Sequence, residues 1–184
     1  MKRLIDIVSS ILLLVIMLPV FLFAVIWIKL DSRGPIFFVQ QRVGLHGREF
    51  GIYKFRSMVI DAESSGPYNT QENDPRITGA GVFLRKTSID ELPQLINVLK
   101  GDMSLVGPRP NLLRQKVEYS EQEWDKRNSV RPGITGLAQA RLRSLATPEQ
   151  RTQLDLEYVD RQGVIFDIMI MLMTVKRLFS GGSI

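Results

Sequence analysis

The sequence IVSSILLLVIMLPVFLFAVIWI, residues 7–28, contains no charged side chain and dominates the organisation of the chain. A helix of about 22 residues is long enough to cross a hydrocarbon layer of roughly 30 Å. Lys2 and Arg3 precede the stretch and Lys29 and Arg33 follow it, so the positive-inside rule assigns no orientation. A secretory signal peptide has a shorter apolar region and a small-residue cleavage site, and neither is evident here.

Pro19 lies near the middle of this stretch. Because proline lacks a backbone donor and clashes with the preceding turn, we expect the helix to bend or break around Leu18 and Pro19. A kinked helix that spans the bilayer and a broken helix that returns to the same face are both compatible with the sequence. The second is favoured because it keeps both basic ends at the anionic cytoplasmic leaflet. A buried core helix of a soluble protein is the remaining alternative.

The composition of the 184 residues is that of a folded protein, with 45% hydrophobic and 23% charged residues. It excludes a disordered tail, a collagen-like repeat and a polytopic membrane protein. The 24 basic residues exceed the 19 acidic ones, and the net charge of +5 favours an anionic partner such as nucleic acid, lipid headgroups or a phosphorylated substrate. With no cysteine and only His46, disulfides, thiolate zinc sites and multi-histidine metal sites are excluded.

Residues 34–184 predict a small cytoplasmic domain of the α+β class, mostly helical, after a membrane segment at 1–33. Residues 35–41 and 50–55 predict a short β-hairpin, and residues 61–78 predict a loop. Helices are expected at 81–86, 92–99 and 111–127, with a stiff loop at 131–136. Residues 164–179 predict a helix of the core or of the membrane interface, tied to the N-terminus by Lys2 or Arg3 with Asp167. Asp155, Glu157 and Asp160 are expected on a solvated face above Tyr158.

The densest group of reactive side chains lies in residues 87–94, TSIDELPQ. Ser88 and Glu91 have the spacing of a capping box, so Asp90 and Glu91 have a purely structural explanation at a helix N-terminus. Their surroundings favour a functional one. Several cations accompany the pair, some of them in turns that proline makes rigid and that suit phosphate binding: Lys54, Arg56, Arg85, Arg109 and Arg131.

Such a pair suits phosphoryl chemistry. Nearby cations keep a carboxylate ionised, and an ionised aspartate can attack phosphorus directly. Mg²⁺ usually takes only one or two protein carboxylates and would bridge Asp90, with Glu91 as a further ligand, to a diphosphate. The arginines would offset charge that develops on the phosphoryl oxygens.

Long strings of the sequence resemble the bacterial sugar transferase family, the small monotopic phosphoglycosyl transferases. They are Lys2-Arg3-x-x-Asp6 before the broken helix, YKFRSM at 53–58, SIDELPQ at 88–94, NVLKGDMSLVGPRP at 97–110 and RPGITGLAQ at 131–139. The resemblance implies transfer of a phospho-sugar from a UDP-sugar to polyprenyl phosphate, with release of UMP. It also implies a re-entrant helix and a domain on the cytoplasmic face of the bacterial inner membrane, as a minimal catalytic form.

The resemblance assigns a covalent phospho-sugar intermediate to Asp90. It makes Glu91 a partner that acts as base, orients the acceptor or assists Mg²⁺, and these roles stay open. Arg85, Arg109 and Arg131 fall on its basic positions as phosphate contacts, with Lys54 and Arg56 as further candidates. The chain departs from the family at 140–144, ARLRS, where Arg141 and Arg143 are candidates for sugar or uridine contact, and a solvated basic turn is the alternative.

Two other classes of function compete with the enzyme. A membrane-tethered basic module that binds nucleic acid explains the net charge but leaves the acidic pair without a task. A membrane scaffold leaves it equally unused. We therefore expect UDP-sugar, polyprenyl phosphate and membrane lipids as partners and no nucleic acid, with the homo-oligomeric state and the identity of the sugar left open.

Overall fold

The computed structural model describes residues 1–62, 65–66, 71, 74–142 and 146–179. They are mostly helical with two small sheets, so the predicted α+β class with a short hairpin is confirmed. The helices are α1 (Lys2–Ile16), α2 (Leu18–Asp31), α3 (Gly79–Lys86), α4 (Gln94–Lys100), α5 (Glu121–Arg127), α6 (Leu137–Arg141), α7 (Pro148–Arg161) and α8 (Val164–Phe179). The strands are β1 (Phe37–Val43), β2 (Glu49–Phe55), β3 (Ser104–Val106) and β4 (Gly133–Thr135).

The apolar N-terminal stretch forms two helices, α1 and α2, which meet at Met17 with a bend of 61°. The predicted break is confirmed: Pro19 lies in the first turn of α2, where its missing N–H leaves no helical bond unmade. Within the described residues no single helix has the length and apolarity to cross a membrane, whereas the bent pair together does. The re-entrant path and the boundary at residue 33 remain predictions.

Strands β1 and β2 pair antiparallel, with Phe38 opposite Lys54 and Arg42 opposite Phe50. A three-residue turn, Leu45–Gly47, joins the two strands. His46 in this turn has a left-handed φ of 55°. Since residues opposite each other point to the same face of a hairpin, Arg42 and Lys54 share one face. The predicted loop after the hairpin lies partly outside the described residues, and a single bridge joins Met58 to Ile77.

Strands β3 and β4 pair in parallel, so the stiff loop expected at 131–136 contains a strand. Glycines make this pairing close. A Cβ on Gly107 would lie 2.3 Å from the carbonyl oxygen of Arg131, and a Cβ on Gly136 would lie 2.2 Å from that of Gly107. The two segments rich in proline and glycine therefore pack backbone against backbone, which sequence periodicity does not reveal.

The start of α1 is bonded to the rest of the chain by charged side chains. Buried Asp6 accepts hydrogen bonds from the Ser104 hydroxyl at 2.9 Å and the Leu105 N–H at 3.1 Å. Lys2 forms an ion pair with Asp167 of α8, which confirms the predicted tie between the two apolar ends. Helix α8 buries Phe166 and Ile170 and exposes other apolar side chains on its opposite side, so the core prediction holds for one face and the membrane-interface prediction stays untested.

Two predictions about helices are wrong. Residues 111–127 are not one helix, because a 3-10 segment, Leu113–Glu118, ends at extended Tyr119 and α5 begins after the Ser120 cap. Asp155 is buried instead of solvated, and it pairs with Arg127. The position of Asp155 three residues before buried Tyr158 on α7 places both on one helix face.

Candidate active site

The acidic pair lies in a 3-10 turn, Ile89–Glu91, between α3 and α4. Ser88 has a left-handed φ of 58° and makes no side-chain cap, so the capping-box explanation is wrong. Helix α4 begins only at Gln94, after Pro93. Asp90 and Glu91 therefore do not cap a long helix, and the tight turn directs these adjacent carboxylates into a group of cations.

Glu91 is bound by two cations from distant parts of the chain. One carboxylate oxygen, Oε1, accepts hydrogen bonds from Lys54 Nζ at 2.9 Å and from the Arg109 guanidinium at 2.7 Å. Lys54 comes from β2 and Arg109 from the turn after β3. Burial alone would raise the pKa of Glu91, but the charges of Arg109 and Lys54 outweigh it and hold the pKa well below its usual range. Glu91 is thus a fixed anion that holds the cationic side chains of Lys54 and Arg109 together.

Asp90 is buried, with 7% of its surface exposed. Burial and, second, the negative charge of Glu91 raise its pKa to about 6, while the cations Lys54, Arg85 and Arg109 oppose the rise. Within the described chain no hydrogen bond to its carboxylate is found. Neighbouring carboxyl groups with separated pKa values are typical of acid–base and nucleophilic sites.

Burial lowers the pKa of Lys54, and the Glu91 charge counteracts that effect. Arg85, at the end of α3, contributes its charge at Asp90. Arg109 keeps 44% of its side chain exposed although it binds Glu91. The cluster therefore presents a guanidinium to an incoming anion while the carboxylates lie behind it.

The backbone of Arg109 is held from behind by a buried ion pair. Arg127 donates to the Arg109 carbonyl at 2.5 Å and to Asp155 Oδ2 at 2.9 Å through Nε. Both charged side chains are only 1% exposed. Together with the close packing of Gly107, this contact fixes the turn, so that Arg109 is oriented before any ligand binds.

The sequence model of the family described as bacterial sugar transferase matches residues 1–181. The chain belongs to the bacterial sugar transferase family. The prediction of a transferase enzyme is confirmed at the level of the family.

Three relatives illustrate the family. The uncharacterized sugar transferase EpsL of Bacillus subtilis is 43% identical over 97% of this chain and 87% of its own length. The UDP-glucose:undecaprenyl-phosphate glucose-1-phosphate transferase of Escherichia coli is 41% identical over 97% of this chain and 40% of its own length. The UDP-N-acetylgalactosamine-undecaprenyl-phosphate N-acetylgalactosaminephosphotransferase of Aeromonas hydrophila is 40% identical over 98% of this chain and 44% of its own length. The chain thus spans less than half of the last two.

Three other predicted substrate contacts of this sugar transferase, Arg56, Arg131 and Arg141, form bonds to groups other than Asp90 and Glu91. The buried Arg56 donates to the carbonyl oxygens of Ser32 at 2.7 Å and Arg33 at 2.8 Å, so its guanidinium is committed to the backbone after α2. Arg131 donates through Nε to the Gly101 carbonyl at 2.9 Å. Arg141 pairs with Glu157 on the surface at 3.0 Å. Arg143 lies outside the described residues.

Arg42 lies beside the cluster and was not predicted from the sequence. A groove at the face of the β-hairpin is lined by Arg42, Ile52, Lys54, Gln94, Arg109, Pro110 and Gly133. Arg42 is oriented by Gln40, whose Oε1 accepts from Nε at 2.9 Å, and by the Pro110 carbonyl at 3.2 Å. The alternation of the strand, which puts Gln40 and Arg42 on the same face as Lys54, is the sequence signal that could have identified Arg42.

Asp90 and Glu91 fit a magnesium ion only if substrate phosphates and water supply the other ligands. No group of three or more acidic or histidine side chains suited to a metal occurs in the described part of the chain. Mg²⁺ does not require one, because one or two carboxylates and substrate phosphates complete its shell together with water. Asp90, with Glu91 next to it, would supply such oxygen ligands.

Proposed function

We propose that the protein transfers a phospho-sugar from a UDP-sugar to undecaprenyl phosphate or a similar polyprenyl phosphate, and that it releases UMP. The names of the relatives support this donor and acceptor chemistry. The observation that carries the proposal is a buried aspartate beside a glutamate whose charge two cations satisfy. This arrangement leaves Asp90 as the carboxylate available for reaction.

In the first step, an ionised oxygen of Asp90 attacks the phosphorus that bears the sugar. A new oxygen–phosphorus bond forms while the bond to the UMP phosphate breaks, and UMP leaves with the electron pair of that bond. A pKa of about 6 leaves Asp90 mostly ionised at neutral pH, because one pH unit above a pKa corresponds to roughly tenfold excess of the base. The nucleophile therefore needs no proton transfer before attack.

In the second step, a phosphate oxygen of the polyprenyl phosphate attacks the same phosphorus and the bond to Asp90 breaks. The products are the polyprenyl diphospho-sugar and the regenerated carboxylate. Splitting the transfer in this way allows UMP to leave before the acceptor reacts, which is the pattern of ping-pong kinetics.

Arg109 and Lys54 stabilise the negative charge on the phosphoryl oxygens in both steps. Glu91 orients these two cations. A base role for Glu91 is disfavoured, since a carboxylate whose pKa lies well below its usual range is a weak proton acceptor at neutral pH. Mg²⁺, held by Asp90 and Glu91 with the diphosphate, would neutralise phosphate charge when bound.

We further infer that α1 and α2 form a re-entrant hairpin with the domain on the cytoplasmic face. Both ends of the helix pair bond to the same folded domain, Asp6 at the start to Ser104 and Asp31 at the end to the Ala80 N–H. A membrane-spanning path would separate these ends by a bilayer. The test is cysteine labelling in the cysteine-free chain, with one cysteine inserted next to Met1 and another at the exposed Arg33. Both should react from the same side, and labelling from opposite sides would contradict the hairpin.

The covalent step is tested by intact mass spectrometry. Purified protein is mixed with a panel of UDP-sugars and Mg²⁺ without polyprenyl phosphate. The expected result is a mass increase by one phospho-sugar for the accepted donor, with release of one UMP per protein. The panel also identifies the sugar.

Two variants give the comparison. Asp90→Asn should form no adduct, whereas Asp160→Asn, which alters an exposed carboxylate on α7, should form it like the wild type. Turnover without any adduct would replace the covalent mechanism by direct transfer. The absence of UMP release with every UDP-sugar and polyprenyl phosphate would overturn the proposed function.

A further inference from the structure

Helix α2 packs directly beneath the active-site cluster. A compact apolar group consists of the fully buried Ala24 and Ile28 of α2 together with Phe55 and Leu84, and Ile89 packs against it. Each of the last three is the chain neighbour of a charged residue at the site. Phe55 follows Lys54, Leu84 precedes Arg85 and Ile89 precedes Asp90. One face of α2 therefore contacts all three segments that carry these charges.

Aromatic contacts extend the same packing. The rings of Phe21 and Phe55 meet edge to face with centroids 5.0 Å apart, and Phe37 stacks on Phe55 at 5.5 Å. Further along α2, the ring centroid of Trp27 lies 5.2 Å from that of Phe83 of α3. Since close-packed interiors transmit small shifts instead of absorbing them, a displacement of α2 would move the segments that it contacts.

Polar contacts at the end of α2 bind the same segments. Asp31 Oδ2 accepts from the Ala80 N–H at 3.1 Å in the first turn of α3. Gly79 leaves room for this contact, because a Cβ there would lie 2.8 Å from Asp31 Oδ1. Arg56, two residues after Lys54, donates to the Ser32 hydroxyl at 2.9 Å and to the carbonyls that follow α2. Gly34, with a φ of +124°, makes space for that guanidinium.

The other face of α2 has no such role in the described structure. Leu22, Phe23 and Ile26 are more than half exposed. The helix thus has an outward apolar face suited to lipid and an inward face fitted to the site. Small Ala24, with none of its surface exposed, sets the closest approach between α2 and the segments above it.

We propose that α2 is a positioning element of the active site, in which Ala24 and Asp31 set the relative placement of Lys54, Arg85 and Asp90. The apolar helix then has two separate tasks, attachment to lipid through its outward face and alignment of the catalytic charges through its inward face. Neither residue belongs to the charged cluster, so both act through the segments that they contact. This inference rests on the proposed function only where its tests measure kcat and KM.

The first test enlarges one side chain on each face. Ala24→Leu should lower kcat by tenfold to about 100-fold, because small misplacements of reacting groups cost that much, while the KM for the UDP-sugar changes less than about threefold. Ile26→Phe adds volume to the outward face and should leave kcat and KM unchanged. Both variants should bind equally to vesicles of phosphatidylethanolamine and phosphatidylglycerol, which separates alignment from attachment.

The second test uses a conservative variant. Asp31→Asn keeps an oxygen acceptor for the Ala80 N–H and should keep at least half of the wild-type kcat. Asp31→Ala removes the acceptor and should lower kcat about tenfold. Equal kcat for the two variants would overturn the role assigned to Asp31.

A third measurement does not depend on activity. Spin labels on cysteines introduced at the exposed Arg48 and Lys86 report the distance between the hairpin and α3 in the cysteine-free chain. Ala24→Leu should change the measured distance and Ile26→Phe should not. An unchanged distance together with wild-type kcat in Ala24→Leu would overturn the proposal.

The experiments distinguish a failure of the proposed reaction from a failure of the positioning role of α2. A wild-type protein that releases no UMP from any UDP-sugar rejects the reaction, and the distance measurement then decides on α2 alone. If Ala24→Leu does not fold, the two Asp31 variants decide by their distances and, where turnover exists, by kcat.

Discussion

Two groups of buried charge lie on opposite sides of the same turn and differ in how completely they are paired. Behind the turn, Arg127 and Asp155 are both 1% exposed and bond to each other, with Arg127 also holding the Arg109 carbonyl. In front of it, Arg109 and Lys54 satisfy Glu91, while Asp90 remains a second carboxylate at 7% exposure. A buried charge that is hydrogen-bonded to a counter-ion serves structure. A buried carboxylate without such a bond, here called the surplus carboxylate, costs stability and is available for chemistry.

The strongest test of this contrast is the loss of the surplus carboxylate. Asp90→Asn keeps the size of the side chain but removes the nucleophile, and we expect turnover to fall at least about 10⁴-fold. The measurement is UMP release in vesicles with polyprenyl phosphate present. Asp160→Asn is the control. Retention of more than a tenth of wild-type activity in Asp90→Asn would mean that the site works without this carboxylate.

Removal of the paired carboxylate should instead destabilise the folded protein. Asp155→Asn leaves the Arg127 charge buried without its counter-ion, and we expect a loss of about 3–5 kcal/mol in the free energy of unfolding. Denaturant titration in detergent measures it. On the same helix, Asp160 forms an exposed pair with Lys126, and Asp160→Asn should cost less than about 1 kcal/mol. Similar losses in both variants would contradict the distinction.

The variant Asp90→Asn, which should lose turnover, should gain stability against unfolding. The pKa of Asp90 is raised to about 6 from an ordinary 3.8, so between these pH values the folded protein keeps a proton that the unfolded chain has released. Stability therefore falls as pH rises through this window and stays lowered above it. At pH 7.5, Asp90→Asn should be more stable than wild type by about 3 kcal/mol at most. This gain should disappear below about pH 4, as thermal unfolding at both pH values will show. A destabilised variant at pH 7.5 would contradict the assignment of Asp90 as a surplus charge.

The smallest expected effect is a shift in the pH dependence of adduct formation. Glu91→Gln removes an anion that raises the pKa of Asp90 and leaves the cations Lys54 and Arg109, so the pKa of Asp90 should fall. The rate of adduct formation should then decline at a lower pH than in the wild type, in addition to an overall reduction. Glu157→Gln, at a surface carboxylate, should leave the profile in place. A shift to higher pH would show that the cations do not act on Asp90 as the structure indicates.

The sequence predicts the charged site around Asp90 and Glu91 but does not predict the buried pair of Arg127 and Asp155. The acidic pair and the arginines stand out because proline and glycine surround them in recognisable strings. The Arg127–Asp155 pair does not, since both residues occur in polar helices where a solvated charge is the ordinary expectation. Only the i, i+3 relation of Asp155 to Tyr158 hints at burial. The capping box also failed, because Ser88 adopts a left-handed conformation that moves the start of α4 to Gln94.

Local sequence therefore determined the apolar stretch, its break before Pro19, the hairpin and the pair Asp90–Glu91, because these depend on composition, on the geometry of proline and on side-chain alternation. Tertiary structure decided which cations meet that pair. Lys54 and Arg109 reach Glu91 from 37 and 18 residues away through the hairpin and the turn after β3, while Arg56 and Arg131 bond to backbone carbonyls. It also decided that Asp90 retains a raised pKa, since burial depends on how α2, α3 and the hairpin pack together and no single segment contains that information.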